Sequence, residues 1–195
     1  MKALVTGAGG FLGQALVRAL AVRGDAVRAL VRRPEAALDR PGVEVQVGDA
    51  TDPRALLAAV QGVEVVIHLA GLRRAAERDA FWRVNVGATR LLLDACTAEN
   101  PGLRRFVLAG SRAASPPSAT GCREEEPLRP AEWYGESKAE AERVAFLYRD
   151  RFPVTVSPAA DHGAWRQGEP ALLQAGKGRL GARLRRPPAA LLDRR

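Results

Sequence analysis

The chain has 195 residues, of which 47% are hydrophobic, and carries a formal net charge of +8. That length suits a single domain with a sizeable core, and the composition excludes a disordered chain. Cys96 and Cys122 are isolated thiols without metal-ligand spacing, so neither a metal site nor a disulfide framework is expected.

The opening residues organise the rest. Ala3 to Val5 reads as a short buried strand, Thr6 to Gly10 as a tight turn, and Phe11 onward as a helix. Phe11, Leu12, Ala15, Leu16, Ala19 and Leu20 recur at helical spacing and are expected to face a sheet. A strand that runs through glycines into a helix N-terminus gathers backbone N–H groups and the positive end of the helix dipole, which suits an anion. Gly7 permits the sharp turn, Gly10 lets a pyrophosphate approach the backbone, and Gly13 lets the helix sit close on the strand. The spacing is G-x-x-G-x-x-G rather than G-x-G-x-x-G. Taken alone it describes a glycine turn in any α/β protein; in strand–turn–helix context it points to a dinucleotide.

Ala26 to Val31 follows as a second strand, then a short helical piece from Glu35 to Arg40. Val43 to Val47 alternates apolar and polar residues, as a strand does. Asp52 caps a helix that opens at Pro53 and runs to about Val60. Val63 to Gly71 reads as a fourth strand and Asp79 to Glu99 as one long helix with Leu91, Leu92, Ala95 and Cys96 inward. Arg104 to Ala109 is a fifth strand, Gly110 to about Pro130 a polar loop, Glu132 to Arg151 a helix and Val154 to Val156 a sixth strand. Strands alternating with helices imply a parallel, doubly wound sheet with right-handed crossovers, helices on both faces, and a ligand crevice at the carboxyl ends of the strands.

Those carboxyl ends carry the candidate chemistry. After the second strand stand Arg32 and Arg33, where a protein binding NAD usually has a carboxylate. Guanidinium groups grip a 2′-phosphate, so NADP is favoured over NAD unless the two arginines are merely solvated. Asp49 either accepts from an adenine amino group or closes a turn. Tyr134 and Lys138 lie four residues apart and so share a helix face. An ammonium and a cationic nicotinamide beside a phenol draw its pKa down, which makes a general acid/base. Ser111, just past the fifth strand, either holds a reacting oxygen or is an ordinary loop serine. His68 stands in an apolar strand and reads as a hydrogen-bonded core or cofactor-side residue, not a base.

Taken together, Thr6 to Gly13, Gly48 to Asp52, His68 to Gly71, Val84 to Thr89, Ser111 and Tyr134 to Lys138 resemble the extended short-chain dehydrogenase/reductase superfamily, the NAD-dependent epimerase/dehydratase type. Leu30 to Pro34 and the stretch after Ser111 look most like dihydroflavonol-reductase and 3β-hydroxysteroid-dehydrogenase-like members. The resemblance implies a Rossmann-type α/β fold over residues 1–156 and NAD(P)-dependent oxidoreductase or epimerase/dehydratase chemistry. It makes Tyr134 the acid/base, Lys138 its activator, Ser111 the oxygen-orienting residue and Asn85 a supporting position. Gly7, Gly10, Phe11, Leu12, Gly13, Arg32, Arg33, Asp49, Ala50, Leu69, Ala70, Gly71, Tyr134 and Lys138 would meet NADP, the preferred cofactor, or NAD.

Residues 157–195 depart from the family pattern, as though the substrate lobe were largely missing through a frame disturbance or an early stop. Residues 151–195 also hold most of the excess charge: +6, against +2 over residues 1–150. The leading expectation is hydride transfer at a carbonyl or secondary alcohol carbon of a small molecule. A cofactor-binding remnant without turnover is the second. Nucleic-acid binding through the basic tail lacks any recognition motif or aromatic platform. With a first strand starting at residue 2 and no long apolar run, no leader and no membrane span are expected. A cytoplasmic protein, with a homodimer through the long helices, completes the expectation.

Overall fold

The computed structural model describes residues 1–116 and 126–158. Cys122, His162 and nearly all of the divergent 157–195 segment lie outside the described residues. Among the described residues, six parallel strands form one sheet in the order β3-β2-β1-β4-β5-β6. They are β1 (Lys2–Thr6), β2 (Ala26–Val31), β3 (Val43–Val47), β4 (Val65–His68), β5 (Arg105–Gly110) and β6 (Val154–Pro158). The order reverses between β1 and β4, the point at which open α/β sheets leave a crevice.

Strand side chains alternate between the two faces, and each face meets different helices. Leu4, Leu30, Val66, Phe106 and Leu108 pack with α2 (Pro53–Val60), α4 (Ala88–Glu99) and α5 (Trp133–Phe146). Ala3, Val5, Ala29, Ile67 and Val107 turn the other way, onto a cluster that includes Leu16, Val17 and Leu20 of α1 (Phe11–Val22). Each fully buried leucine of this kind contributes about 1.5–3 kcal/mol. The buried cation of β2 is also accounted for: Arg28 donates to the carbonyls of Ala59 and Gln61 at 2.8 and 2.9 Å, closing the carboxyl end of α2.

The structure alters several sequence expectations, each for a local reason. Phe11 does not face the sheet; it is 72% exposed, because the first position of α1 lies beyond the strand ends. The fourth strand stops at His68 rather than Gly71, since Leu69 and Ala70 turn to donate to the Thr6 carbonyl and hydroxyl at 3.2 and 3.3 Å. The expected long helix is present but not uniform: α3 (Arg78–Phe81) passes through a π-helical stretch, Trp82–Gly87, into α4. The Glu35 to Arg40 piece is a single 3₁₀ turn, Ala36–Leu38. The last helix ends at Phe146, five residues early, where i→i+3 bonds tighten the chain so that Phe152 can return to the core. Phe152 precedes Pro153, which disfavours helical backbone there. Val45 and Val47 of the edge strand β3 are exposed, while Gln46 donates to Ala55 of α2. Among the described residues no helix is long and apolar enough to cross a membrane.

Candidate active site

The turn between β1 and α1 is made by what is missing from it. Gly7 holds φ at +69°, and a Cβ there would fall 2.7 Å from the Ala70 nitrogen. At Gly13 a Cβ would stand 2.3 Å from the Gly7 carbonyl oxygen, so α1 lies directly on the turn. Gly10 donates to Gly7 at 3.0 Å and closes the turn, yet a Cβ at Gly10 would meet nothing but that same carbonyl. The approach to Gly10 is therefore open. As the N-cap of α1 it supplies no side-chain cap, and the first helical turn holds no acidic residue. Uncapped N–H groups at a positive helix end, beside an open glycine, fit a pyrophosphate. Exposed Phe11 and partly buried Leu12 flank the opening.

Beyond β2 the arginines part company. Arg33 is 85% exposed, its Nε 3.5 Å from Oε1 of Glu35. Arg32 lies within electrostatic reach of Asp49. Asp49 itself accepts from the Thr51 amide and hydroxyl, both at 2.8 Å. Those two bonds, in that order, hold its carboxyl below the usual range against the opposing effect of partial burial; Arg32 adds to them. Of the two readings of Asp49, its hydrogen bonds display the turn. Ala50 sits in the same turn.

Across the crevice, Leu69-Ala70-Gly71 lies against the glycine turn, held by a buried hydrogen-bonded chain. The Ala70 amide donates to Thr6 Oγ1, which stands 2.6 Å from His68 Nδ1. His68 Nε2 is 3.1 Å from Thr89 Oγ1, and that hydroxyl donates to the Asn85 carbonyl at 2.7 Å. Thr89 spends its proton on Asn85, so the chain assigns the His68 proton to Nε2 and leaves Nδ1 to accept from Thr6. Burial, reinforced by the charge of Lys138, pushes the imidazole down to about 3. His68 is thus a neutral structural link rather than a base.

Asn85 sits in the π-helical stretch with its side chain fully engaged. Its Oδ1 accepts from the Leu72 amide at 2.7 Å, and its Nδ2 donates to the Leu72 carbonyl and to Ser137 Oγ at 3.0 and 2.9 Å. Ser137 passes its own proton to the Tyr134 carbonyl at 2.7 Å. Asn85 therefore joins the loop after β4 to the first turn of α5.

Tyr134 and Lys138 both lie on α5, whose first turn stands against the end of β5. Closeness is enforced at Gly135, where a Cβ would fall 2.2 Å from the Ala113 carbonyl in the 3₁₀ turn Arg112–Ala114. Ser111 caps that turn, its Oγ accepting from the Ala113 amide at 3.2 Å. The cap engages one lone pair and leaves the hydroxyl hydrogen for another oxygen. Lys138 is buried, with Nζ 2.5 Å from the Ala109 carbonyl. Burial pushes its ammonium down to about 8, with the negative charge of Glu142 pulling the other way. The Tyr134 ring is partly buried and stands 6.1 Å from that of Phe81. Ser111 and Lys138 are thus tied to the carboxyl end of β5, with Tyr134 one helical turn before Lys138 on α5, while Arg32, Arg33 and Asp49 follow β2 and β3.

Three residues of the site escaped the sequence reading. Ser137 stands between Tyr134 and Lys138, and the bond it accepts from Asn85 depends on the fold, while the one it donates to the Tyr134 carbonyl lies within α5. Glu142, almost fully buried, follows Lys138 by one further helical turn, so the spacing alone could have found it. Glu35 had no sequence signal beyond its distance from the glycines.

A parallel sheet of this order, with an open glycine turn at the strand reversal, is a Rossmann-type fold. The model of the NAD dependent epimerase/dehydratase family matches residues 3–164. The chain belongs to that family. It is 40% identical over 175 residues to sterol demethylase protein B of Methylococcus capsulatus, an alignment covering 85% of this chain and 53% of the relative. It is 31% identical over 180 residues to a 3 beta-hydroxysteroid dehydrogenase/Delta 5-->4-isomerase of Mycobacterium tuberculosis, covering 86% and 48%. Among solved structures, MoeE5 in complex with UDP-glucose and NAD superposes with a TM-score of 0.71 at 31% identity, covering 80% of this chain and 52% of that one. The chain spans about half the length of the curated relatives it matches.

Proposed function

We propose that this chain carries the cofactor-binding and proton-transfer half of an NAD(P)-dependent oxidoreductase acting at a carbonyl or secondary alcohol carbon. The observation that supports it most is the set of contacts around the first turn of α5. Gly135 admits the Ser111 turn, and Lys138 reaches the end of β5, at the carboxyl edge that also holds the glycine turn. Gly7, Gly10 and Gly13 with the start of α1 would hold the pyrophosphate, and Leu69 to Gly71 would line the path toward Tyr134. The nicotinamide, when bound, supplies or accepts hydride. Tyr134 moves the proton at its phenolic oxygen, Lys138 places positive charge beside it, and Ser111 orients the substrate oxygen through its remaining hydroxyl hydrogen. Asn85 and Ser137 keep α5 and the Leu72 loop in register, so that the phenol meets the crevice and not solvent.

Substrate choice rests on parts of the relatives that this chain does not span. The curated relatives' names include sterol, steroid and ceramide enzymes, which supports an apolar ketone or alcohol as substrate. The test is oxidation of NADH or NADPH dependent on an added apolar ketone, in the full chain and in Tyr134→Phe. Turnover that disappears in the variant supports the reading, and turnover that persists overturns the role of Tyr134. A second reading is dinucleotide binding without turnover, which the open glycine turn supports without any residue of the Tyr134 side. Cofactor binding with no turnover on any ketone would decide for it.

A further inference from the structure

One glycine of the opening turn has no part in the dinucleotide reading. Gly9 falls between the glycines of the G-x-x-G-x-x-G spacing, and its φ is not in the positive range that demands glycine. Its backbone is fixed, since Gln14 Nε2 donates to its carbonyl at 2.9 Å. What a side chain at Gly9 would meet is Glu35: the ideal Cβ stands 3.2 Å from Cγ and 3.4 Å from Oε1. Glycine at this position makes room for a carboxylate.

That carboxylate comes from the loop beyond β2, where Glu35 precedes the 3₁₀ turn Ala36–Leu38. Its side chain is 30% exposed, against 85% for Arg33, whose Nε it faces at 3.5 Å. The two arginines therefore do not stand alone on the adenosine side. Arg32 lies within electrostatic reach of Asp49, Arg33 extends into solvent, and the charge lying against the glycine turn is negative.

Resting on the dinucleotide reading above, we infer that Glu35 is the cofactor-selecting residue: seated on Gly9, its carboxylate accepts from the adenosine ribose hydroxyls and excludes a 2′-phosphate, so the site takes NAD in preference to NADP. A carboxylate is an acceptor with two oxygens and suits a diol. A phosphate monoester brings close to two negative charges and no donor to the same place. Arg33, on a solvated stem, offsets that repulsion less than a buried guanidinium would. The arginines read from the sequence alone predict the opposite preference, so measurement separates the two.

The experiment titrates the full chain with NADH and with NADPH, following the fluorescence of the reduced nicotinamide. It compares the unaltered chain with Glu35→Gln, which keeps the size and removes the charge, with Glu35→Ser and with Arg33→Ser. The unaltered chain is expected to bind NADH at least about tenfold more tightly than NADPH, and Glu35→Gln and Glu35→Ser to move that ratio about tenfold toward NADPH. Arg33→Ser should weaken NADPH and leave NADH within about twofold. Tighter binding of NADPH by the unaltered chain, or an unchanged ratio in both Glu35 variants, overturns the assignment while leaving dinucleotide binding intact. Binding of neither nucleotide overturns the dinucleotide reading itself, and Glu35 with it.

Discussion

The two ends of the crevice are built from opposite materials. Between β1 and α1 the site is bare backbone, and its key residues matter for the side chains they lack. Between β5 and α5 it is made of side chains, each tied to a named partner: Lys138 to Ala109, Ser111 to Ala113, Asn85 to Leu72 and Ser137. A backbone site tolerates no addition, because nothing at Gly13 can move except the main chain of Gly7 and Ala8. A side-chain site tolerates changes of shape better than loss of a functional atom. Mutations at the two ends should therefore fail differently, by misfolding at the first and by silence at the second.

The largest effect is expected from Tyr134→Phe. Its ketone-dependent rate should fall about 10²–10⁴-fold, the usual share of a general acid/base, while dinucleotide binding stays within a few-fold. Steady-state kinetics beside fluorescence titration checks this, and loss of binding would show that the phenol belongs to the cofactor end as well. Gly13→Ala should do the reverse. With a Cβ 2.3 Å from a carbonyl oxygen, overpacking costs about 1–3 kcal/mol or more, and binding is lost together with stability. Urea denaturation gives the stability term.

Asn85→Ala removes the acceptor of the Leu72 amide and the donor to Ser137, leaving buried groups unsatisfied at a cost of about 1–3 kcal/mol. Asn85→Asp restores the acceptor but not the donor and should recover part of that loss. Surface pairs set the lower bound. Glu140→Ala, which frees the exposed Arg143 on the same helix, should change stability by no more than about 0.5 kcal/mol.

Titration distinguishes the two buried groups by pH window, with the same sign in each. His68 folds with its pKa lowered from 6.5 to about 3, so between those values the unfolded chain holds the extra proton. Stability should then fall as pH drops from 6.5 toward 3, by up to about 1.4 kcal/mol per unit from this group. Lys138, lowered from 10.5 to about 8, also binds more protons when unfolded, and stability from it should rise as pH climbs from 8 toward 10.5. Denaturation against pH, with His68→Gln and Lys138→Met as references, should remove each slope separately. An unchanged slope in either variant assigns it to other groups.

Much of the fold was legible in the chain. Period-two and helical spacing, the Asp52–Pro53 start and the glycine turn place β1, α1, β2, β3 and α2 within a residue or two of where they lie. The same local signals misjudged the ends. Nothing in Leu69-Ala70-Gly71 says that the chain turns there, because the bonds that turn it come from Thr6, more than sixty residues earlier. The π-helical stretch was invisible for a similar reason: Asn85 is held by Leu72 and Ser137, on two other elements.

For the site, the sequence by itself determined which groups exist and on which helix face they stand. Tyr134 and Lys138 follow from the four-residue repeat, and Gly7, Gly10 and Gly13 from the strand–turn–helix order. Tertiary structure alone decided the environment of those groups. It seated Glu35 on Gly9 and buried His68 as a neutral link. Helical spacing is a property of neighbours along the chain, whereas charge environment and steric clearance depend on residues far apart in sequence that the sheet order brings together.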